Sequence, residues 1–511
     1  MSLFTSSKPI NQRILEIVPG LLTWAVLTIP LWLSRSLPIV VAFFLTFMVI
    51  YWVYKAIIHT VGLVIGYHKY EKERYMDWHK EFMNLEWETL PNREDLPQTP
   101  YALKHLIVVP VLNEAKPVIA GLIKGLVEQN YPLENIWLSF SLEEKFHRQT
   151  RKDILEILEE FPSFKNVLIF VHPSGLPNEV RGAASNRTWS AKNAVRYLTK
   201  AGEDINDFIF TTSDGDTILS PQYCARLSYA FAIEPERRKR FFQTAIYLGD
   251  NNIWDVPSLM RIQSNAVTFG SLSTWVTEPS FKETFSCFSF ALSTLVGANY
   301  WDTMISIDDT PVYWRVFHTL NGDFRGVPLY VEVHTDAVQG TSFVGSHRQQ
   351  YVQLLRWGWG ILTVPAAITG VFKANISRRE KAAWFYHIFE RYALLYPVAI
   401  LLLVGFPLLT FVNPQFEVTS YAYLLPRILS YFLTFALIFL IPAAWFRNKL
   451  VGNPPASWPR WKRFLSFFEG GLVMIHIYMY AFLPFVHAET LFMLGKTLDG
   501  FAFTPKIRTG K

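Results

Sequence analysis

The two ends of this 511-residue chain are built from long apolar runs, and the stretch between them is not. Residues 17–33 and 38–54, the second reading PIVVAFFLTFMVIYWVY, carry no charge, and each is long enough to cross a bilayer as a helix. In hydrocarbon an unpaired backbone amide is costly, so such runs must be helical or part of a closed barrel. The link SRSLP is short enough to force a hairpin. Lys8 and Arg13 precede the hairpin, and Lys55, Lys69, Lys72 and Arg74 follow it, which predicts both flanks on the cytosolic side. The net charge of +6 is the same bias seen over the whole chain, and no nucleic-acid partner is expected. Cys224 and Cys287 are the only cysteines, which excludes a disulfide framework and suits a reducing compartment. No cleavable signal peptide is expected, because a second apolar run follows the first with no small-residue cleavage site between them.

Apolar character returns near residue 360. ILTVPAAITGVF is too short to span and is expected at the interface, whereas 392–412, 421–445 and 464–486 are expected to cross. NPQFEVTS, between the first two, lacks Lys and Arg and should face outside. Arg447, Lys449, Arg460, Lys462 and Arg463, between the second and third, should face the cytosol. A simple count then puts the C-terminus outside, yet Lys496, Lys506, Arg508 and Lys511 favour the cytosol. The expectation is therefore that Glu469, Gly470, Gly471 and Pro484 break 464–496 into a re-entrant or interfacial pair. Glu390, Arg391, Arg427 and Glu469 lie in or beside apolar segments. They fit either interfacial snorkelling or a polar path through the bundle.

The middle of the chain reads differently. Residues 67–100 are dense in charge and end in LPNREDLPQTP, which predicts an amphipathic helix and a proline-rich linker. From 101 to 358 the pattern is α/β. LKHLIVVPVLNE, NIWLSFSLEE, VLIFVHP and DFIFTTSDGD read as strands, separated by segments of helical spacing. That alternation predicts a mostly parallel sheet covered on both faces, with ligands bound beyond the carboxyl ends of the strands. Asn113–Glu114, Glu143–Glu144 and Asp214–Asp216 all fall at such ends. Two carboxylates one glycine apart make a turn, or they hold a hard divalent cation that shares them with a substrate phosphate. Further on come WDTMISIDDTPVYW, with Asp308 beside Asp309, and RQQYVQLLRWGWG. Adjacent aspartates repel, which raises the pKa of one and makes it a better base. Trp357 offers a flat face for a sugar ring, or it is a core tryptophan.

A sheet with VVPVLNE, then D-x-D, then an acidic pair, then Q-x-x-R-W, flanked by apolar helices, resembles the processive glycosyltransferases of family 2, the cellulose, chitin and hyaluronan synthases. The resemblance covers about residues 100–380. It implies a GT-A-like α/β catalytic domain, mostly parallel and cytosolic, joined to an α-helical transmembrane bundle. It also implies metal-dependent inverting transfer of a sugar from a UDP-sugar to a growing β-linked polysaccharide, and export of the polymer. Carried over residue by residue, Pro110, Asn113, Glu114 and Glu143 would line the nucleotide-sugar pocket. Asp214 and Asp216 would hold Mg2+ or Mn2+ against the diphosphate. Asp309, beside Asp308, would be the catalytic base. Gln353 and Arg356 would lie at the diphosphate end and Trp357 at the acceptor. FAFTPKIR matches the mobile loop F-x-V-T-x-K of the cellulose synthases, so Thr504 and Lys506 would reach the nucleotide. There are departures: Asp308 stands where the family has glutamate, Ile307 where it has threonine, Ala183 where lysine is frequent, and glutamate (Glu143 or Glu144) where the second strand usually ends in aspartate. Transfer to a lipid, or a scaffold or transporter that has lost catalysis, remain as alternatives.

The expected organisation is a transmembrane hairpin (1–66), charged helix and linker (67–100), catalytic domain (101–358), interfacial helices (359–390), second transmembrane region (391–496) and cytosolic tail (497–511). The expected partners are a UDP-sugar, a polysaccharide or glycolipid acceptor and membrane lipids. The expected location is the plasma membrane, multi-pass.

Overall fold

The computed structural model describes residues 10–437 and 440–496. Thr504 and Lys506 lie outside the described residues.

The helices Ile10–Trp32 and Pro38–Glu73 form the first pair. With 36 residues the second helix is roughly 54 Å long at 1.5 Å per residue, well beyond the hydrocarbon thickness of a bilayer. Its last turns carry Leu63, Tyr67 and Tyr70 into the core of the α/β domain. The boundary expected at residue 66 therefore falls inside an unbroken helix. The charged segment continues the helix because one of its faces is buried on the sheet domain; the short helix Trp78–Met83 follows after a turn.

Among the described residues, eight strands form one sheet. They are β1 (Lys104–Val111), β2 (Ile136–Glu143), β3 (Val167–His172), β4 (Phe208–Thr212), β5 (Ile218–Leu219), β6 (Arg240–Leu248), β7 (Phe288–Ala291) and β8 (Arg325–His334). Their order is β3-β2-β1-β4-β7-β6-β8-β5. β3, β2, β1 and β4 are parallel neighbours, as are β6 and β8; β7 runs antiparallel to β4 and β6, and β5 to β8. The mostly parallel α/β sheet expected from the sequence is present. Its continuous apolar strands follow from burial on both faces: Leu106 and Val108 of β1 enter one core, Ile107 and Val109 the other.

Among the described residues, five helical runs are long and apolar enough to cross a membrane: Gln12–Trp32, Pro38–Glu73, Phe343–Lys373, Arg378–Val412 and Glu469–Met493. Phe343–Lys373 joins the Q-x-x-R-W helix to the segment expected at the interface, and most of its apolar window is buried within the protein. Ser420–Leu437 and Leu440–Val451 lie in and beyond the stretch expected to span from 421. Glu469–Met493 is one helical run rather than two separated pieces. It opens with a 3-10 turn at Glu469–Leu472 and has a π turn at Ile477–Phe482 ahead of Pro484. The irregular turns absorb the glycines and the missing proline donor without ending the helix. A second π turn, Glu390–Leu394, interrupts Arg378–Val412.

Candidate active site

β1, β2, β4, β6 and β8 point their carboxyl ends at one cavity of about 520 Å³. It is of the size that encloses a small-molecule ligand. Pro110, near the end of β1, lines it, and so does Glu114, whose carboxylate folds back to accept the amide of Leu112 at 2.7 Å. Asn113 stands exposed between them and does not line the cavity. Gly215, the middle of the D-x-D, lies under Glu114; a Cβ there would sit 3.2 Å from Glu114 Cγ. Glu143 lines the cavity at the end of β2, with Arg181 Nε 3.8 Å and His172 Nδ1 3.7 Å from its carboxylate. Burial works against a charge on His172, but Glu143 and Glu179 outweigh it and raise its pKa. Glu144 points elsewhere and accepts the amide of Ser174 at 2.8 Å.

The turn after β4 presents Asp214, about half exposed, and Asp216, which is buried. Asp216 Oδ2 accepts the amide of Asp336 at 3.0 Å, just past the end of β8. Asp308 and Asp309 sit at the start of the helix Asp309–Thr319 and line the same cavity. Arg187, from the first turns of the helix Ala183–Lys200, binds these acids together. Its Nη2 donates to Asp214 at 2.6 Å; its Nη1 meets Asp308 and lies 3.5 Å from Asp309. Gly182 makes this approach feasible, because a Cβ there would fall 2.9 Å from the backbone of Ser306.

Asp309 is the most finely held of the four. Its Oδ2 accepts the amide of Ser286 at 2.9 Å, and its carbonyl accepts Thr284 Oγ1 at 2.6 Å. Ser286 adopts φ +51°, a left-handed conformation that costs a residue with a side chain. Burial in the cavity wall raises the Asp309 pKa to about 6 although Arg187 pulls it down; Asp214 adds to the rise and Arg356 opposes it. The segment that holds Asp309 is itself anchored to an apolar helix long enough to cross a membrane. Glu283 accepts Trp314 Nε1 and Arg391 Nη1, each at 2.5 Å, and Arg391 belongs to the π turn Glu390–Leu394.

Gln353, Arg356 and Trp357 all line the cavity from the helix Phe343–Gly358. Trp357 stands nearly perpendicular to Phe285 at 5.7 Å. The far wall is made by Gly360, Arg391, Tyr396 and Phe485, with Tyr396 stacked on Phe485 at 4.8 Å. Tyr396 and Phe485 lie in runs apolar enough to cross a membrane, so one cavity joins the carboxylates to the apolar helices.

Sequence reasoning missed Arg187, Asp336 and Glu283. A signal for Arg187 existed: several acids converging in a partly buried site require a cation among them. Asp336 obeys the same strand-end rule as the D-x-D, but β8 is not among the four strands that the sequence pattern predicts. Glu283 carries no local signal.

Among the described residues no group of three or more His, Cys, Asp or Glu is disposed to hold a metal ion. Asp214 and Asp216 supply oxygen donors on a cavity wall. That donor set fits a hard cation that completes its shell with ligand oxygens and water.

No family model matches this chain, and no curated protein does. Among solved structures, a mannosyltransferase from Pyrobaculum calidifontis in complex with GDP-Man and Mn2+ is similar at 14% identity and TM-score 0.42, over 79% of this chain and 98% of that one. S. aureus TarS residues 1–349, in complex with UDP-GlcNAc, is similar at 12% identity and TM-score 0.35, over 77% of this chain and 92% of that one.

Proposed function

We propose that this protein is a membrane-embedded, metal-dependent inverting glycosyltransferase. It passes a sugar from a UDP-sugar to the end of a growing β-linked polysaccharide and passes the polymer outward through the same helices. The observation that carries this reading is the convergence of Asp214, Asp216, Asp308, Asp309, Arg187, Gln353, Arg356 and Trp357 on one cavity at the carboxyl ends of the strands.

The nucleotide lies against Pro110, Glu114 and Glu143. Mg2+ or Mn2+ held by Asp214 and Asp216 would neutralise the charge that develops on the leaving diphosphate. Arg356 adds a fixed positive charge on the same wall. Asp309 takes the proton from the attacking hydroxyl; its pKa near 6 suits a base at neutral pH, being both deprotonated and reasonably basic. Arg187 keeps Asp308 and Asp309 close in spite of their mutual repulsion. Trp357 packs the acceptor ring. Thr504 and Lys506, outside the described residues, are proposed to close over the nucleotide.

A second reading, transfer of a single sugar to a lipid, is favoured by Tyr396 and Phe485, which open the cavity toward the apolar helices. One experiment tests both. Purified protein is given a panel of nucleotide sugars with and without chelator, nucleotide release is followed, and the product is sized. Release that depends on metal and is abolished in Asp216→Ala is expected. A long product supports polymerisation and a single addition the lipid acceptor; no release from any donor removes both.

A further inference from the structure

The helix Arg460–Phe467 presents a surface that the active site does not use. Trp461, Phe464, Leu465, Phe467 and Phe468 are each more than half exposed. At 100° per residue Trp461, Phe464, Leu465 and Phe468 share one arc, and Arg460 and Lys462 flank it on either side. Arg460, Lys462 and Arg463 are exposed, and no acidic residue occurs between Glu417 and Glu469. The helix meets the rest of the protein through Ser466, which is buried and whose carbonyl accepts Arg447 Nη1 at 2.8 Å. The membrane-length run Glu469–Met493 begins two residues after this helix. Continuity with that run places the aromatic arc at bilayer level, and the basic rim selects negative headgroups.

The end of the helix is also wired to the catalytic cavity. Glu469 is buried and accepts Arg261 Nε at 3.0 Å and Ser258 Oγ at 3.0 Å, with Arg447 Nη1 at 3.7 Å. His476, about two turns further on, meets Gln263 at 2.7 Å. Arg261 and Gln263 belong to the helix Ser258–Thr277, whose Met260, Gln263, Ser264 and Val267 line the cavity.

We propose that Arg460–Phe467 docks on an anionic lipid leaflet and that Glu469 transmits this docking to the helix Ser258–Thr277. The lipid contact stands independently of the glycosyltransferase reading.

The test uses the full chain in nanodiscs of phosphatidylcholine alone or with roughly one-third phosphatidylglycerol, the anionic surface the basic rim would meet. A polarity-sensitive fluorophore is placed on Phe464→Cys; Cys224 and Cys287 are buried and do not compete. In anionic discs the label is expected to report an apolar environment. Raising the salt, or the triple change Arg460→Glu, Lys462→Glu and Arg463→Glu, should return it toward the aqueous signal, each lost basic residue weakening docking about fivefold at low salt. Hydrogen exchange over 258–277 should slow several-fold in anionic discs, and Glu469→Gln should abolish that slowing while the label still reports lipid. An equally apolar signal in neutral discs and in the triple variant overturns the choice of anionic lipid. A signal that changes only with protein concentration means that a second copy covers this face. Exchange unaffected by lipid overturns the transmission. Absence of sugar transfer in every disc removes the proposed function, while label and exchange still decide this inference.

Discussion

The two walls of the cavity are built on opposite principles. The sheet wall carries its chemistry on short turns after rigid strands: Asp214 and Asp216 after β4, Glu143 at the end of β2, Asp336 after β8. The wall built from the apolar helices carries its side chains on irregular helix, with Arg391 inside a π turn and Phe485 just after another. Backbone pairing within the sheet holds the carboxylates in place. The π turns give the opposite wall a looser frame, at positions where such turns often mark function. Glu283 joins the two, because it bonds Trp314 on the helix of Asp309 and Arg391 on the membrane helix. Under the proposed function the chemical step falls to the sheet wall and the acceptor to the helical wall.

The largest effect expected from breaking this division is at Asp309. Asp309→Asn should lower transfer by at least about a hundredfold while nucleotide affinity is nearly unchanged. The pKa near 6 sets the sign of the pH dependence: the base works deprotonated, so wild-type transfer should fall roughly tenfold per pH unit below about 6. A kinetic profile from acid to neutral pH checks both, and a slope that persists in Asp309→Asn would place the base elsewhere. Next comes Arg187→Gln, which leaves Asp214, Asp308 and Asp309 without their shared cation. Loss of one partner from such a buried cluster costs about 3 kcal/mol, read as a lower thermal midpoint in detergent. An unchanged midpoint would mean that water already solvates the acids. Glu283→Gln probes the junction of the walls. It keeps an acceptor for Trp314 but loses the charge opposite Arg391, and kcat should fall about tenfold at constant donor KM. A normal kcat would show that the membrane helix does not help place Asp309. The smallest effect is expected at Phe485→Ala, where loss of the ring stacked on Tyr396 should raise acceptor KM about fivefold and leave donor KM alone. A change confined to donor KM would reverse the assignment of that wall.

How much of this could be read from the chain follows the same contrast. The D-x-D, the acidic pair and Q-x-x-R-W are short motifs whose chemistry depends on residue type and local spacing, and the strand-end rule gathers them before any coordinates are known. Asn113 stood next to such a motif and still faces solvent, because the loop turns on Glu114. Composition sets the charged segment 67–100 apart from the hairpin, yet the helix Pro38–Glu73 runs on into its first residues because the sheet domain covers one of its faces.

The sequence by itself determined the apolar helices, the alternating α/β centre and the identity of the candidate carboxylates, since hydropathy, periodicity and ligand chemistry are local properties. Only the tertiary structure decided that Arg187 ties Asp214 to Asp308 and Asp309, that Ser286 offers its amide to Asp309 in a left-handed conformation, and that Glu283 spans from the sheet domain to a membrane helix. These contacts join residues up to 122 positions apart, from Arg187 to Asp309. Their strength comes from burial together, and burial is set by how helices and strands pack rather than by any neighbour along the chain.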